Sequence, residues 1–211
     1  MKQKFFKFEI SSKLNIEDFY VTNSNREAYN YVVDNNSNIK NTIIYGPKKS
    51  GKSHLGQIWK STFKAIKYDP NNYELILHNN NNILIDNLFY KINEENLFHI
   101  INHCFNNNSK ILILANELYF KYNFKLKDLT SRLKSFNFIK INQPDDELIV
   151  NIINKLLHDR QIIINNSEIF TYILKRINRT YEDIYLFIKK TDNLSLEKKR
   201  ELTIPLIKEL L

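Results

Sequence analysis

Three short aliphatic runs stand out in the first two-thirds of the chain: Thr42-Ile43-Ile44-Tyr45, Ile83-Leu84-Ile85-Asp86 and Ile111-Leu112-Ile113-Leu114-Ala115. Each is too short for a helix and too uniformly apolar for a strand with one wet face, so each predicts a strand buried on both sides. Between them, Leu97-Phe98-His99-Ile100-Ile101 and the stretch from Leu126 to Leu133 carry helical spacing. Strands alternating with helices predict an α/β fold, a parallel sheet covered on both faces. Beyond Pro144 the pattern is helical, with helices predicted over 148–158, 167–177, 181–190 and 203–211. Asp145 and Ser167 are candidate N-caps, and Thr203-Ile204-Pro205 opens the last helix. The expected organisation is an N-terminal peptide (1–12), an α/β core (13–142) and a helical segment (143–211). That last segment reads either as a lid or as a further helical layer on the same core.

Composition narrows the class. With 211 residues, 43% hydrophobic and 26% charged, the chain can build a core and is not a disordered segment. No run approaches the ~20 apolar residues of a membrane helix, and the lysine-rich start has no apolar signal region. The single cysteine, Cys104, excludes an internal disulfide, so a reducing, cytoplasmic setting is expected. The net charge of +8 lies wholly in residues 1–142, which carry 20 Lys+Arg against 12 Asp+Glu. Such a field attracts nucleotide phosphates or nucleic acid, although a solvated lysine- and asparagine-rich surface would give the same count. The asparagine runs at 79–82 and 106–108 predict loops.

Candidate chemistry is concentrated where the glycines are. All three, Gly46, Gly51 and Gly56, fall in one eleven-residue window. Gly46-Pro47-Lys48-Lys49-Ser50-Gly51-Lys52-Ser53-His54 contains GxxxxGK[ST], between a predicted strand and a predicted helix, which is the context a P-loop requires. Backbone N–H groups there would face a β-phosphate, Lys52 would reach the β- and γ-phosphates, and Ser53 would ligate Mg²⁺. Asp86, closing its aliphatic run as a Walker B acid does, is the second magnesium candidate. Asn87 follows where many P-loop ATPases place a second acid. An amide cannot accept a proton, so weak intrinsic hydrolysis is expected. Asn116, after the third run, is a candidate for contact with the γ-phosphate or water, or else a plain loop starter.

Several further segments occur in one order. Phe19 to Ala28 resembles the "sN.eA" segment of the DnaA branch of AAA+ proteins, Ser53-His54-Leu55 continues the P-loop as that branch does, and Ser131-Arg132-Leu133 resembles its arginine-finger box. With Asp145-Asp146-Glu147-Leu148, Asp159-Arg160-Gln161 and Leu202-Thr203-Ile204-Pro205, nearly the whole chain resembles the Hda family, DnaA-homologous regulators of replication initiation, above all its alphaproteobacterial form. The resemblance implies an AAA+ P-loop fold with a helical lid, binding of ATP or ADP with Mg²⁺, and docking on DnaA and the sliding clamp (beta). It makes Asn116 sensor 1 and Arg132 an arginine finger offered in trans, where a guanidinium stabilises spreading phosphate charge. A surface ion pair of Arg132 with Asp128 is the alternative.

The chain departs from the family at sensor 2, where Glu182 takes the expected arginine's place and Arg179, about one turn earlier, is the candidate replacement. The offset of 34 positions from Lys52 to Asp86 also suggests a trimmed connection. At the N-terminus, Gln3, Phe6 and Phe8 match a clamp-binding peptide, while Lys4 replaces its leucine; a strand pairing with the domain's own sheet is the alternative. Because the sequence ends at Leu211, where DnaA continues into a helix-turn-helix domain, no sequence-specific DNA binding is expected. Pairing of two copies is left open. Against this regulator stand two alternatives, an ATP-driven helicase loader and a small-molecule P-loop kinase.

Overall fold

The computed structural model describes residues 16–34, 41–87, 93–160, 162, 164, 167–198 and 202–209. Gln3, Phe6 and Phe8 lie outside them. Five parallel strands form one sheet: β1 (Thr42–Tyr45), β2 (Ile66–Lys67), β3 (Ile83–Asp86), β4 (Ile111–Ala115) and β5 (Asn137–Lys140), in the order β2-β3-β4-β1-β5. The predicted runs are the three central strands, with Ile43 level with Ile113 and Leu84 with Leu112.

Alternation along each strand divides the core in two. Ile43, Ile85, Ile111 and Ile113 point to one face, where α3 (Tyr73–His78), α4 (Glu94–Asn106) and α5 (Lys127–Lys134) supply Ile76, Leu97, Ile101, Leu129 and Leu133. Ile44, Leu84, Leu112 and Leu114 point to the other, against α1 (Arg26–Val33) and α2 (Lys52–Thr62) through Val32, Leu55 and Trp59. The short connection between α2 and β3 holds a two-residue strand, a capped turn at Asp69–Asn72 and a six-residue helix.

The helical segment comprises α6 (Asp146–His158), α7 (Glu168–Leu174), α8 (Tyr181–Lys198) and α9 (Ile204–Lys208), packed on a core of their own that includes Ile153, Leu157, Ile173, Ile184 and Ile207. Leu148 and Tyr181 leave that core for the one beneath α1 and α2, joining the two parts. Asp145 caps α6, accepting from the Leu148 N–H at 2.8 Å. Ser167 makes no side-chain cap, and α7 and α9 are shorter than expected. In contrast, α8 runs past its predicted end at Lys190. Thr191 is wholly buried there and Asp192 pairs with Arg160 at 3.4 Å, so packing overrides the poor helix propensity of that stretch. Among the described residues, no helix is long and apolar enough to cross a membrane.

Candidate functional site

A cleft of about 640 Å³ opens at the carboxyl ends of β1, β3 and β4, beside the point where the strand order reverses. That is where open parallel sheets bind ligands. Its floor is the loop between β1 and α2. Gly51 stands there at φ +86°, a left-handed conformation that side chains disfavour. Gly46 sits so close to β5 that a Cβ would lie 2.6 Å from the Ile141 carbonyl oxygen. Gly46 and Pro47 stay behind the cleft surface, whereas Lys48, Lys49, Ser50, Gly51, Lys52, Ser53 and His54 line it.

Lys52 is 9% exposed, and its ammonium donates to the carbonyl oxygens of Gly46 (2.9 Å) and Pro47 (2.5 Å) and to Ser50 Oγ (3.4 Å). Burial pulls its pKa down to about 8, against the opposing pull of Asp86. Ser53 Oγ donates to Asp86 Oδ1 at 3.2 Å, so the two candidate magnesium ligands meet. A hydroxyl and a carboxylate at the foot of a phosphate-sized loop suit a hard divalent cation. Asn87 (φ +55°), Ala115 and Asn116 complete this wall.

The second wall comes from the segment before α1. Thr22, Ser24 and Asn25 form a buried polar knot: Asn25 Oδ1 accepts from the Thr22 N–H, and Asn25 Nδ2 donates to the Tyr20 carbonyl, both at 2.9 Å. The knot holds Phe19 in contact with Tyr29 and, edge-on, with His54 (ring centroids 5.3 Å apart), giving the cleft an aromatic side.

The third wall is α6 and α8. Leu148, Ile152, Lys155 and Asp159 follow one face of α6, and Tyr181 and Tyr185 one face of α8. Lys155 donates to the Asp18 carbonyl at 2.7 Å and pairs with its carboxylate at 3.2 Å. Lys49 Nζ lies 5.2 Å from the centre of the Tyr185 ring, a contact between the loop and the helical segment. Burial raises the Tyr185 phenol.

Two candidates stand elsewhere. Arg179 is outside the cleft lining, its guanidinium bonded to Asp146 at 2.8 and 3.3 Å; it precedes α8, two residues before Tyr181, the first of the tyrosines that do face the cleft. Arg132 lies exposed on α5. The alternative pair with Asp128 is not formed among the described residues; the guanidinium lies 5.2 Å over the Phe105 ring. Lys67, which the sequence reading missed, binds Asp86 Oδ2 at 2.8 Å. Lys155 and Tyr185 were missed as well, although their i, i+4, i+7 spacing with Leu148, Ile152 and Tyr181 carries the signal.

Residues 146–211 match the family model described as the Hda lid domain. The chain is 27% identical to the chromosomal replication initiator protein DnaA of Buchnera aphidicola subsp. Cinara cedri, over 96% of this chain and 53% of that protein. It spans about half the length of the DnaA proteins it matches. A Haemophilus influenzae protein described as uncharacterized is 24% identical, over 93% of this chain and 92% of its own length. Domain III of Thermotoga maritima DnaA has the same fold, with a TM-score of 0.77 at 19% identity over 94% of this chain and 95% of that one. AMPPCP-bound DnaA from Aquifex aeolicus scores 0.67 at 20% identity, over 86% and 66%. The fold is that of an AAA+ P-loop domain with a helical lid, and the findings are consistent with an Hda-like, DnaA-homologous protein.

Proposed function

We propose that this DnaA-homologous chain with an Hda-type lid regulates replication initiation. It binds an adenine nucleotide in the cleft, docks on DnaA and the sliding clamp, and stimulates hydrolysis of DnaA-bound ATP through Arg132. The observation that carries the last step is the position of that guanidinium. It projects from the exposed face of α5 and meets no carboxylate among the described residues, which leaves it able to reach a neighbouring protein's phosphates.

Within the cleft, the N–H groups at the start of α2 and the Lys52 ammonium hold the phosphates, while the Phe19–Tyr20 side offers aromatic surface to a base. Ser53 and Asp86 would hold Mg²⁺, which neutralises phosphate charge when bound. Lys52 must leave the carbonyls of Gly46 and Pro47 to reach the phosphates. Asn87 and Asn116, both amides, orient groups but accept no proton, and the chain's own turnover is expected to be slow. Arg179, tied to Asp146, takes no part in this reading. Clamp docking through Gln3, Phe6 and Phe8 rests on the sequence resemblance.

The test is phosphate release from ATP-loaded DnaA in the presence of clamp and DNA. Stimulation by the chain that disappears in Arg132→Ala supports the reading; stimulation untouched by that change overturns it. Steady ATP turnover by the isolated chain would favour a helicase-loader motor instead.

A further inference from the structure

The carboxylate assigned above to magnesium already holds a cation of its own chain. Lys67 ends β2 and stands level with Leu84 on β3; Asp86, two residues on from Leu84, shares its face of the sheet. Lys67 Nζ meets Asp86 Oδ2 at 2.8 Å, while Oδ1 accepts from Ser53. Both carboxylate oxygens are thus engaged by the protein. Lys52 is the nearer cation in sequence to the phosphate loop, but its ammonium is spent on the carbonyls of Gly46 and Pro47.

The pair is held in place from the backbone side. The Ile66 N–H donates to Asn82 O and the Tyr68 N–H to Leu84 O, both at 2.8 Å, fixing the strand on either side of Lys67. The Lys67 carbonyl accepts from Asn72 Nδ2 at 2.9 Å, within a turn closed by the reciprocal capping of Asp69 and Asn72. The Asp86 side chain is 14% exposed, but that of Lys67 is 50% exposed. The carboxylate is therefore poorly solvated and in need of a counterion, while the ammonium can return to water easily.

We propose that Lys67 is a built-in countercation for Asp86 and sets how far nucleotide binding in this cleft depends on a divalent ion. This rests on the nucleotide reading above. Without a divalent ion, an uncompensated Asp86 repels an incoming diphosphate, and Lys67 removes that repulsion. With a divalent ion, the ammonium competes for the same carboxylate and reduces what the metal adds. Both effects narrow the gap between affinity with and without metal.

Calorimetric titration of the full chain with ADP, in excess Mg²⁺ and in EDTA, measures that gap as a ratio of dissociation constants. Lys67→Met keeps the stem and removes the charge; its ratio should exceed that of the wild type by about two- to fivefold, the scale of a partly exposed ion pair. Lys67→Arg should restore the wild-type ratio. An unchanged ratio in Lys67→Met, or an equal rise in Lys67→Arg, overturns the inference while the nucleotide site stands. Failure of the wild-type chain to bind ADP under either condition removes the nucleotide reading and this inference together.

Discussion

Ser53 Oγ and Asp86 Oδ1 lie 3.2 Å apart although they are 33 positions apart in the chain. The contact joins the first turn of α2 to the end of β3, and it exists because β1 and β3 flank the same central strand, β4. Asp86→Ala should weaken ADP binding in Mg²⁺ by about tenfold or more, a loss of ~1.4 kcal/mol. In EDTA the same change should leave affinity equal or improved, since an anion has been removed from beside the phosphates. Calorimetry under both conditions checks this, and an equal loss in both would show that Asp86 acts on the fold rather than on a metal.

Arg132→Ala should abolish stimulation of DnaA hydrolysis while the chain's own ADP affinity stays within a factor of about two. The side chain is exposed and, among the described residues, meets the Phe105 ring, an interaction of about 0.5–1 kcal/mol at such a site. Thermal melting should accordingly change little. A large drop in stability would assign Arg132 to the fold.

Gly46→Ala should destabilise the protein by about 1–3 kcal/mol, the usual range for forcing atoms into a packed site. Its new Cβ would meet the Ile141 carbonyl oxygen at 2.6 Å, a backbone atom that cannot rotate away. Urea unfolding gives the number. A stability equal to wild type would mean that β1 and β5 part more easily than their pairing suggests.

Alkaline pH should act in part through Tyr181. Burial raises its phenol from 10.0 to about 12, and the hydroxyl donates to the Asn142 carbonyl at 3.3 Å. Because the folded pKa is the higher one, the stabilising contribution is complete below pH 10 and is lost as pH rises toward 12. The loss amounts to about 2–3 kcal/mol at most. Urea midpoints compared across that interval should fall for the wild type and fall less for Tyr181→Phe. Parallel declines in the two proteins would place the effect on other groups.

Legibility in the sequence followed how local each signal is. The strands β1, β3 and β4 were readable because both of their faces are buried, which leaves unbroken aliphatic runs. The edge strands were not: β2 has two residues, and Asn137-Phe138-Ile139-Lys140 carries too few apolar positions to stand out. The phosphate loop is contiguous, so its residues could be named from the chain alone. Lys67 could not, since it reaches Asp86 only through strand pairing, and the third wall needed α6 and α8 to be folded over the sheet. Arg179 illustrates the limit of counting along a helix. It falls just before α8 begins, where its guanidinium meets Asp146 at the start of α6 and not the cleft.

Cys104 lies wholly inside the layer formed by α4 and the sheet, and burial drives its thiol up to about 12. A thiol so far from forming thiolate is silent toward oxidants and alkylating reagents while the helix stays docked. As the chain's sole cysteine, it is therefore a natural reporter. The rate at which maleimide labels the native protein measures how often α4 lifts from the sheet, with no engineered probe and no competing signal from elsewhere in the chain.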